Sequence, residues 1–421
     1  MRVVIVGLNF SPEPISTGRY SGEMATWLGD AGHWIKVVAA PPYYPAWRIF
    51  NGYRRWWYQS EIHSVSPFTL QVVRCPTYVP ARPSALRRIV HLLSFAASSA
   101  PVALAARRWR PDIVLAVAPT ILALPAAWAG ARLAGCPVWL HVQDFEVGAA
   151  QGAGILKDNL ALRLAARWER GFLRRCDRVS TISGPMMDSL ARKGVAKDRR
   201  VLLPNWANTE GVYPAARSGK FLKDLGIAAD QQVVLYAGNM GEKQGLELVL
   251  EAARRLASET HLVFVMAGDG AARSRLEQQG RDLPNVRWLP VQPSERLNEL
   301  LNLADVHVLP QRADVAGVVM PSKLTNMLAS GRPVVATASP GMAIHEVVAG
   351  HNAGVVVEPG DVGALAAALL SLAADAGKRV RMGRNARAYA EDYLNKESIL
   401  AQLEKELYRC VKEHRRRRAG A

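Results

Sequence analysis

Short runs of apolar residues, most of them rich in β-branched side chains, recur along the chain, separated by longer stretches with helical spacing of apolar positions. Val3 to Val6, Ile35 to Ala39, Ile113 to Ala116 and Val138 to Val142 are such runs. Unbroken apolarity over so few residues is what a strand buried on both faces requires. Tyr20 to Ala31 and Thr120 to Leu133 read as helices between them. The pattern restarts after residue 230, with strands at Gln232 to Tyr236, Leu262 to Ala267, Val306 to Leu309, Val334 to Ala336 and Gly354 to Val357. Leu246 to Ser258, Ser294 to Leu303, Ser322 to Ser330 and Val362 to Ala373 read as the intervening helices. Strand and helix alternating twice over predicts an α/β chain of two doubly wound, Rossmann-like domains, each on a parallel sheet.

A length of 421 residues also fits two large domains better than one. Pro204, Pro214 and Gly219 interrupt the periodicity, which sets the boundary between Asn205 and Asp230. We therefore expect a first domain over 1–210, a second over 211–395, and a C-terminal helix with a basic tail over 396–421, able to pack back on the first domain.

Charge separates the halves. Residues 1–210 hold 26 Lys and Arg against 13 Asp and Glu, and ten of the 11 Trp. A basic, Trp-rich half is suited to an anionic partner, and the tryptophans favour a lipid interface over nucleic acid. Ile89 to Ala106 sharpens this: it is uncharged and bracketed by Arg87, Arg88, Arg107 and Arg108. Pro101, His91 and three serines argue against a spanning segment, leaving a shallow surface helix whose arginines contact the membrane, or an ordinary core helix. The four cysteines are dispersed, with no zinc spacing, and Met1 to Gly7 reads as a first strand rather than a signal peptide. The expected location is cytoplasmic, peripheral on the inner face of the membrane.

Parallel-sheet domains bind ligands at the carboxyl ends of their strands. Gly18, near the first helix start, offers close backbone approach to a phosphate or sugar oxygen. After the strand at Val233 to Tyr236 comes Gly238-Asn239-Met240-Gly241-Glu242-Lys243, where a lysine among glycines is placed to neutralise a diphosphate leaving group. Pro321-Ser322-Lys323 forms a second phosphate-suited helix start, with Asn326 one turn on to reach ribose hydroxyls. In the first domain His141, Asp144 and Glu146 close a strand and are candidates to touch substrate. Asp144 and Glu146 alone are too few ligands to argue for a metal.

These segments resemble retaining glycosyltransferases of group 4, which have the GT-B architecture of two Rossmann-like domains facing across a cleft. Gly18-Arg19-Tyr20-Ser21-Gly22-Glu23, Ala40-Pro41-Pro42-Tyr43-Tyr44-Pro45, His141-Val142-Gln143-Asp144-Phe145-Glu146, Thr181-Ile182-Ser183, Pro204-Asn205-Trp206 and Gly238-Asn239-Met240-Gly241-Glu242-Lys243 carry the resemblance. It implies that the first domain binds acceptor, that the second binds the nucleotide sugar, and that Lys243 matches the family's diphosphate lysine. The family's arginine just before that lysine is absent, with Asn239 near its place. Its pair of glutamates falls here at Val318 and Asn326, so Lys323 is expected to supply the charge instead.

The expected reaction is transfer with retention and without a metal or cofactor: Lys243 and Lys323 steady the departing diphosphate, His141 orients the donor sugar, and Asp144 or Glu146 holds acceptor hydroxyls. At its nearest the resemblance implies L-fucose from GDP-fucose, passed to a saccharide linked to polyprenyl diphosphate in exopolysaccharide synthesis. The alternatives are a UDP-sugar-dependent transferase and a nucleotide-sugar epimerase of the same fold. The epimerase has no need of a basic acceptor domain and turns over without acceptor. A nucleic-acid-binding role rests on charge alone and leaves the loop lysines unused.

Overall fold

The computed structural model describes residues 1–421 apart from 15, 66–67, 120, 146–159, 313–319 and 421. The chain divides into two compact units, Met1–Leu203 with Leu400–Ala421, and Pro204–Ile399. The boundary precedes the expected 210/211 because Ala207 N–H bonds to the Leu394 carbonyl at 2.8 Å, zipping the first residues after Leu203 onto the second unit.

The first unit is built on eight strands: β1 (Arg2–Gly7), β2 (Trp34–Ala39), β3 (Gln59–Val65), β4 (Phe68–Arg74), β5 (Ile113–Ala118), β6 (Val138–Val142), β7 (Arg178–Thr181) and β8 (Arg200–Leu202). Their order is β3-β4-β2-β1-β5-β6-β7-β8. All neighbours pair parallel except β3, which runs antiparallel to β4. That edge hairpin corrects the wholly parallel sheet expected from sequence. Gln59–Val65 holds apolar residues only at Ile62 and Val65, so it shows neither a continuous apolar run nor an alternation, as a mostly polar strand at a sheet edge can.

The second unit has β9 (Gln232–Ala237), β10 (Leu262–Ala267), β11 (Val286–Leu289), β12 (Val306–Leu309), β13 (Val334–Thr337) and β14 (Gly354–Val357), all parallel, in the order β11-β10-β9-β12-β13-β14. One face of this sheet packs Val234, Phe264 and Val308 against the helices Glu247–Arg255 and Val362–Ala374. The other packs Leu309 and Ala336 against Leu324, Met327 and Leu328 of the helix Ser322–Ala329. In each sheet the strand order reverses beside one central strand, at β1/β5 and at β9/β12, and this is where doubly wound sheets open a crevice.

The long C-terminal helix Lys396–Ala419 buries Leu403, Leu407 and Val411. It is tied to the first unit by His33–Glu404 at 2.8 Å, Arg178–Glu413 at 2.7 Å and Arg415–Asp112 at 2.5 Å.

Candidate functional site

In the second unit three chain segments meet at the carboxyl ends of β9 and β10 and the start of the helix Ser322–Ala329. They meet this closely because three residues lack side chains. Gly238 lies at φ +148, and a Cβ there would stand 3.2 Å from Cε and Nζ of Lys323. Gly268, at φ +139, lets the backbone following β10 reach the Gly238 carbonyl, 1.9 Å from where a Cβ would be. Gly270, at φ +153, does the same beside the Met240 carbonyl and Asn239 Oδ1. Only glycine adopts such angles without strain. Met240 N–H then bonds to the Asp269 carbonyl at 2.7 Å, tying the two loops together.

Lys323 is the cation of this junction. Pro321 occupies the cap position rather than the first helical one, so Ser322 and Lys323 open the helix. The Lys323 ammonium donates to the Tyr236 hydroxyl at 2.7 Å and sits 4.6 Å from that ring's centroid. Tyr236, fully buried in β9, donates a hydrogen bond from its hydroxyl to the Asn239 carbonyl at 2.6 Å. Desolvation pushes the Lys323 ammonium down from its ordinary value to about 8. The lysine is thus held in place by a ring and a hydroxyl, with no carboxylate to neutralise it among the partners described, a setting in which an arriving anion is strongly favoured. Asn326, one turn further along the same helix, carries a buried Oδ1 with no hydrogen-bond donor among the described residues, an acceptor in want of a ligand hydroxyl.

The structure thus brings together Gly238, Asn239, Ser322, Lys323 and Asn326. Lys243 lies in a short turn over Glu242–Gln244, and its side chain is outside the described residues. Sequence reasoning passed over three further contributors. Tyr236 is one, Gly268-Asp269-Gly270 another, and Arg312 the third: its Cγ would stand 3.0 Å from a Cβ on Gly245, whose φ is +65. The available signals were a Gly-Asp-Gly directly after a strand and an arginine just past the end of β12.

In the first unit His141 is buried in β6. Its Nδ1 lies 2.8 Å from Ser180 Oγ, which also accepts the Trp139 indole N–H at 2.8 Å, and its Nε2 lies 2.9 Å from the Gln143 amide nitrogen. Burial pushes the imidazole down to about 4, so it is neutral at physiological pH and acts through hydrogen bonds, not charge. Asp144 is half-buried just beyond the strand end, and Glu146 lies outside the described residues. Gly18 has a packing reason for being glycine: a Cβ would stand 2.7 Å from the Glu13 side chain. Glu13 is itself buried, accepting from Tyr43 N at 2.9 Å, Tyr44 N at 3.0 Å and Asn9 Nδ2 at 2.9 Å, so it pins the loops after β1 and β2 together. Thr181-Ile182-Ser183 is the end of β7 followed by a helix cap, with Ser183 Oγ accepting from Met186 N. Among the described residues no three His, Cys, Asp or Glu side chains converge as metal ligands.

Two family models match the chain: the glycosyl transferase 4-like domain over residues 17–206 and glycosyl transferases group 1 over residues 218–389. A protein of Escherichia coli (strain K12), WcaI, named as a colanic acid biosynthesis glycosyl transferase, is 39% identical over 410 residues, covering 96% of this chain and 98% of that one. The chain belongs to the group 4 glycosyltransferases. The fold of this transferase is GT-B, as in sucrose-phosphate synthase from Thermosynechococcus elongatus (TM-score 0.75, 18% identity, 97% of this chain and 98% of that one). HepE from Anabaena, solved in complex with UDP, has the same fold (TM-score 0.69, 16% identity, 97% of this chain and 100% of that one).

Proposed function

We propose that the transferase moves a sugar, with retention and without a metal, from a nucleoside-diphosphate donor held by the second unit to a lipid-linked saccharide in exopolysaccharide biosynthesis. The observation that carries the donor half is Lys323, recessed against Tyr236 and crossing the bare face of Gly238. An ammonium fixed against a phenol ring and its hydroxyl, with no carboxylate partner among the described contacts, is suited to charge that develops on a leaving diphosphate. Lys243 adds a second cation from the neighbouring turn, and Asn326 Oδ1 accepts from a ribose hydroxyl. The acceptor hydroxyl attacks from the face the diphosphate leaves, and its proton passes to a departing phosphate oxygen. His141, as a neutral imidazole, orients the donor sugar once the Gln143 amide turns aside from Nε2, while Asp144 and Glu146 hold acceptor hydroxyls.

The likeness to WcaI supports a colanic-acid-type polymer as the product pathway. Within that pathway we propose GDP-fucose as donor, a polyprenyl-diphosphate-linked saccharide as acceptor, and work at the inner face of the cytoplasmic membrane. A UDP-sugar donor is the second reading, favoured by the complex of HepE with UDP-glucose. Incubating the transferase with a lipid-linked glucose and either GDP-fucose or UDP-glucose separates the two. We expect transfer from GDP-fucose with the donor's anomeric configuration kept in the product. Transfer from UDP-glucose alone moves the assignment to the second reading, and an inverted anomer rejects the retaining mechanism.

A further inference from the structure

We propose that the helix Ala85–Ala105, together with the Arg54–Tyr58 segment beside it, forms the surface that seats the first unit on an anionic lipid bilayer. The proposal rests on the reading of a lipid-linked acceptor and names where the protein meets that lipid's membrane.

The helix is inside out. Facing the domain are His91 and Ser99, both buried, with Phe95 and Ala103. Facing outward at spacings of three and four are Leu86, Ile89, Val90, Leu93, Ala97, Pro101 and Leu104, all exposed, Leu86 by 71% and Leu93 by 51%. A helix resting on a water-exposed domain shows the reverse pattern. The apolar stripe runs about 27 Å at the usual helical rise. That is a contiguous patch of the kind that marks an interaction site rather than scattered surface leucines.

Two further features select the occupant. Trp56 is 62% and Trp57 72% exposed, and Tyr58 places them beside the helix by donating its hydroxyl to the Ser98 carbonyl at 2.8 Å. Exposed indoles next to an apolar stripe suit the headgroup boundary of a bilayer. The stripe is also closed at both ends by exposed cations, Arg87 and Arg88 at one and Arg107 and Arg108 at the other, with no carboxylate in the helix. Arginines so placed attract lipid phosphates. A second copy of this chain, paired antiparallel along the stripe, would set arginine pairs against arginine pairs.

Among the described residues Leu86–Trp109 is long and apolar enough to cross a membrane by length and composition. Its inward face is nonetheless committed to the domain. His91 Nε2 lies 2.9 Å from the Tyr43 hydroxyl and Nδ1 2.5 Å from the Tyr78 carbonyl, and Gly130 lets the Ala103 carbonyl approach to 2.4 Å of where a Cβ would be. The helix therefore lies in the plane of the interface, sunk to the depth of its outer side chains.

The test uses the full chain and sedimentation with vesicles of phosphatidylcholine, with and without phosphatidylglycerol. Two variants are compared with the wild type: Leu86→Gln with Val90→Gln and Leu93→Gln, and Trp56→Ser with Trp57→Ser. All five positions are exposed, so circular dichroism and nucleoside-diphosphate affinity should stay at wild-type values. We expect the wild type to favour the phosphatidylglycerol vesicles and each variant to lose about tenfold or more in partitioning. Indole emission should shift to the blue on adding vesicles, and the Trp variant should lose most of that shift. Wild-type protein left in the supernatant, or variants that sediment equally well, would overturn the proposal. So would a dimer in vesicle-free buffer that the same substitutions dissociate, and equal binding to both vesicle types would overturn the anionic assignment. Loss of nucleoside-diphosphate binding with vesicle binding intact would instead count against the donor reading.

Discussion

At the scale of single residues the proposed donor chemistry rests on a lysine whose charge is held at the edge of stability. Lys323 titrates near 8 in the free protein because desolvation opposes its charge and only a phenol hydroxyl supports it. The sign of the consequence follows. Below about 8 the ammonium is charged and attracts a diphosphate; as pH rises from about 8 towards the ordinary 10.5 the free protein loses that charge, and affinity falls. A bound diphosphate restores the lysine towards its usual range, so binding takes up a proton in this window. Calorimetric titrations from pH 7 to 10 should show affinity falling by up to about tenfold per unit above 8, the limit for one linked proton. A flat profile would mean that Lys323 does not face the ligand.

At the scale of elements, the loops that form the site are fixed by bare backbone. A Cβ on Gly268 would meet the Gly238 carbonyl at 1.9 Å, and backbone has nowhere to retreat. Gly268→Ala should destabilise the second unit by more than about 2 kcal/mol, through strain at a positive φ and the displaced carbonyl. Denaturant unfolding would read this, and an unchanged midpoint would contradict the close approach.

The same elements show what the sequence made legible. β1, β2, β9, β10 and β12 announce themselves as apolar runs because both of their faces are buried. β3 and β11 do not: Ile62 on β3 is exposed, and on β11 Arg287, Trp288 and Leu289 are only half-buried, so neither has a period to read. Lys323 and Asn326 were legible because proline and serine mark a helix start. Tyr236 was hidden inside its own strand, where an aromatic residue looks like core until the lysine from a distant helix is seen to reach its hydroxyl.

At the scale of the whole molecule, the chain's order does not match its units, since residues 400–421 return to complete the first. Leu400, Leu403, Leu407 and Val411 are all buried there, and at about 2 kcal/mol for each side chain the helix contributes roughly 8 kcal/mol. That is comparable to the whole stability of a domain. A chain ending at residue 399 should therefore lose its first unit, seen as proteolysis confined to residues 1–203 with the second unit protected. Equal resistance in both units would show that the helix is dispensable.

The central claim is that the second unit grips a nucleoside diphosphate through Lys323, and titration calorimetry of the wild type and Lys323→Ala with GDP and UDP tests it most directly. The account predicts binding of at least one of the two by the wild type and a loss of about tenfold or more in the variant, with its melting temperature preserved. Equal affinity in the two proteins, or binding of neither nucleotide by the wild type, would contradict it.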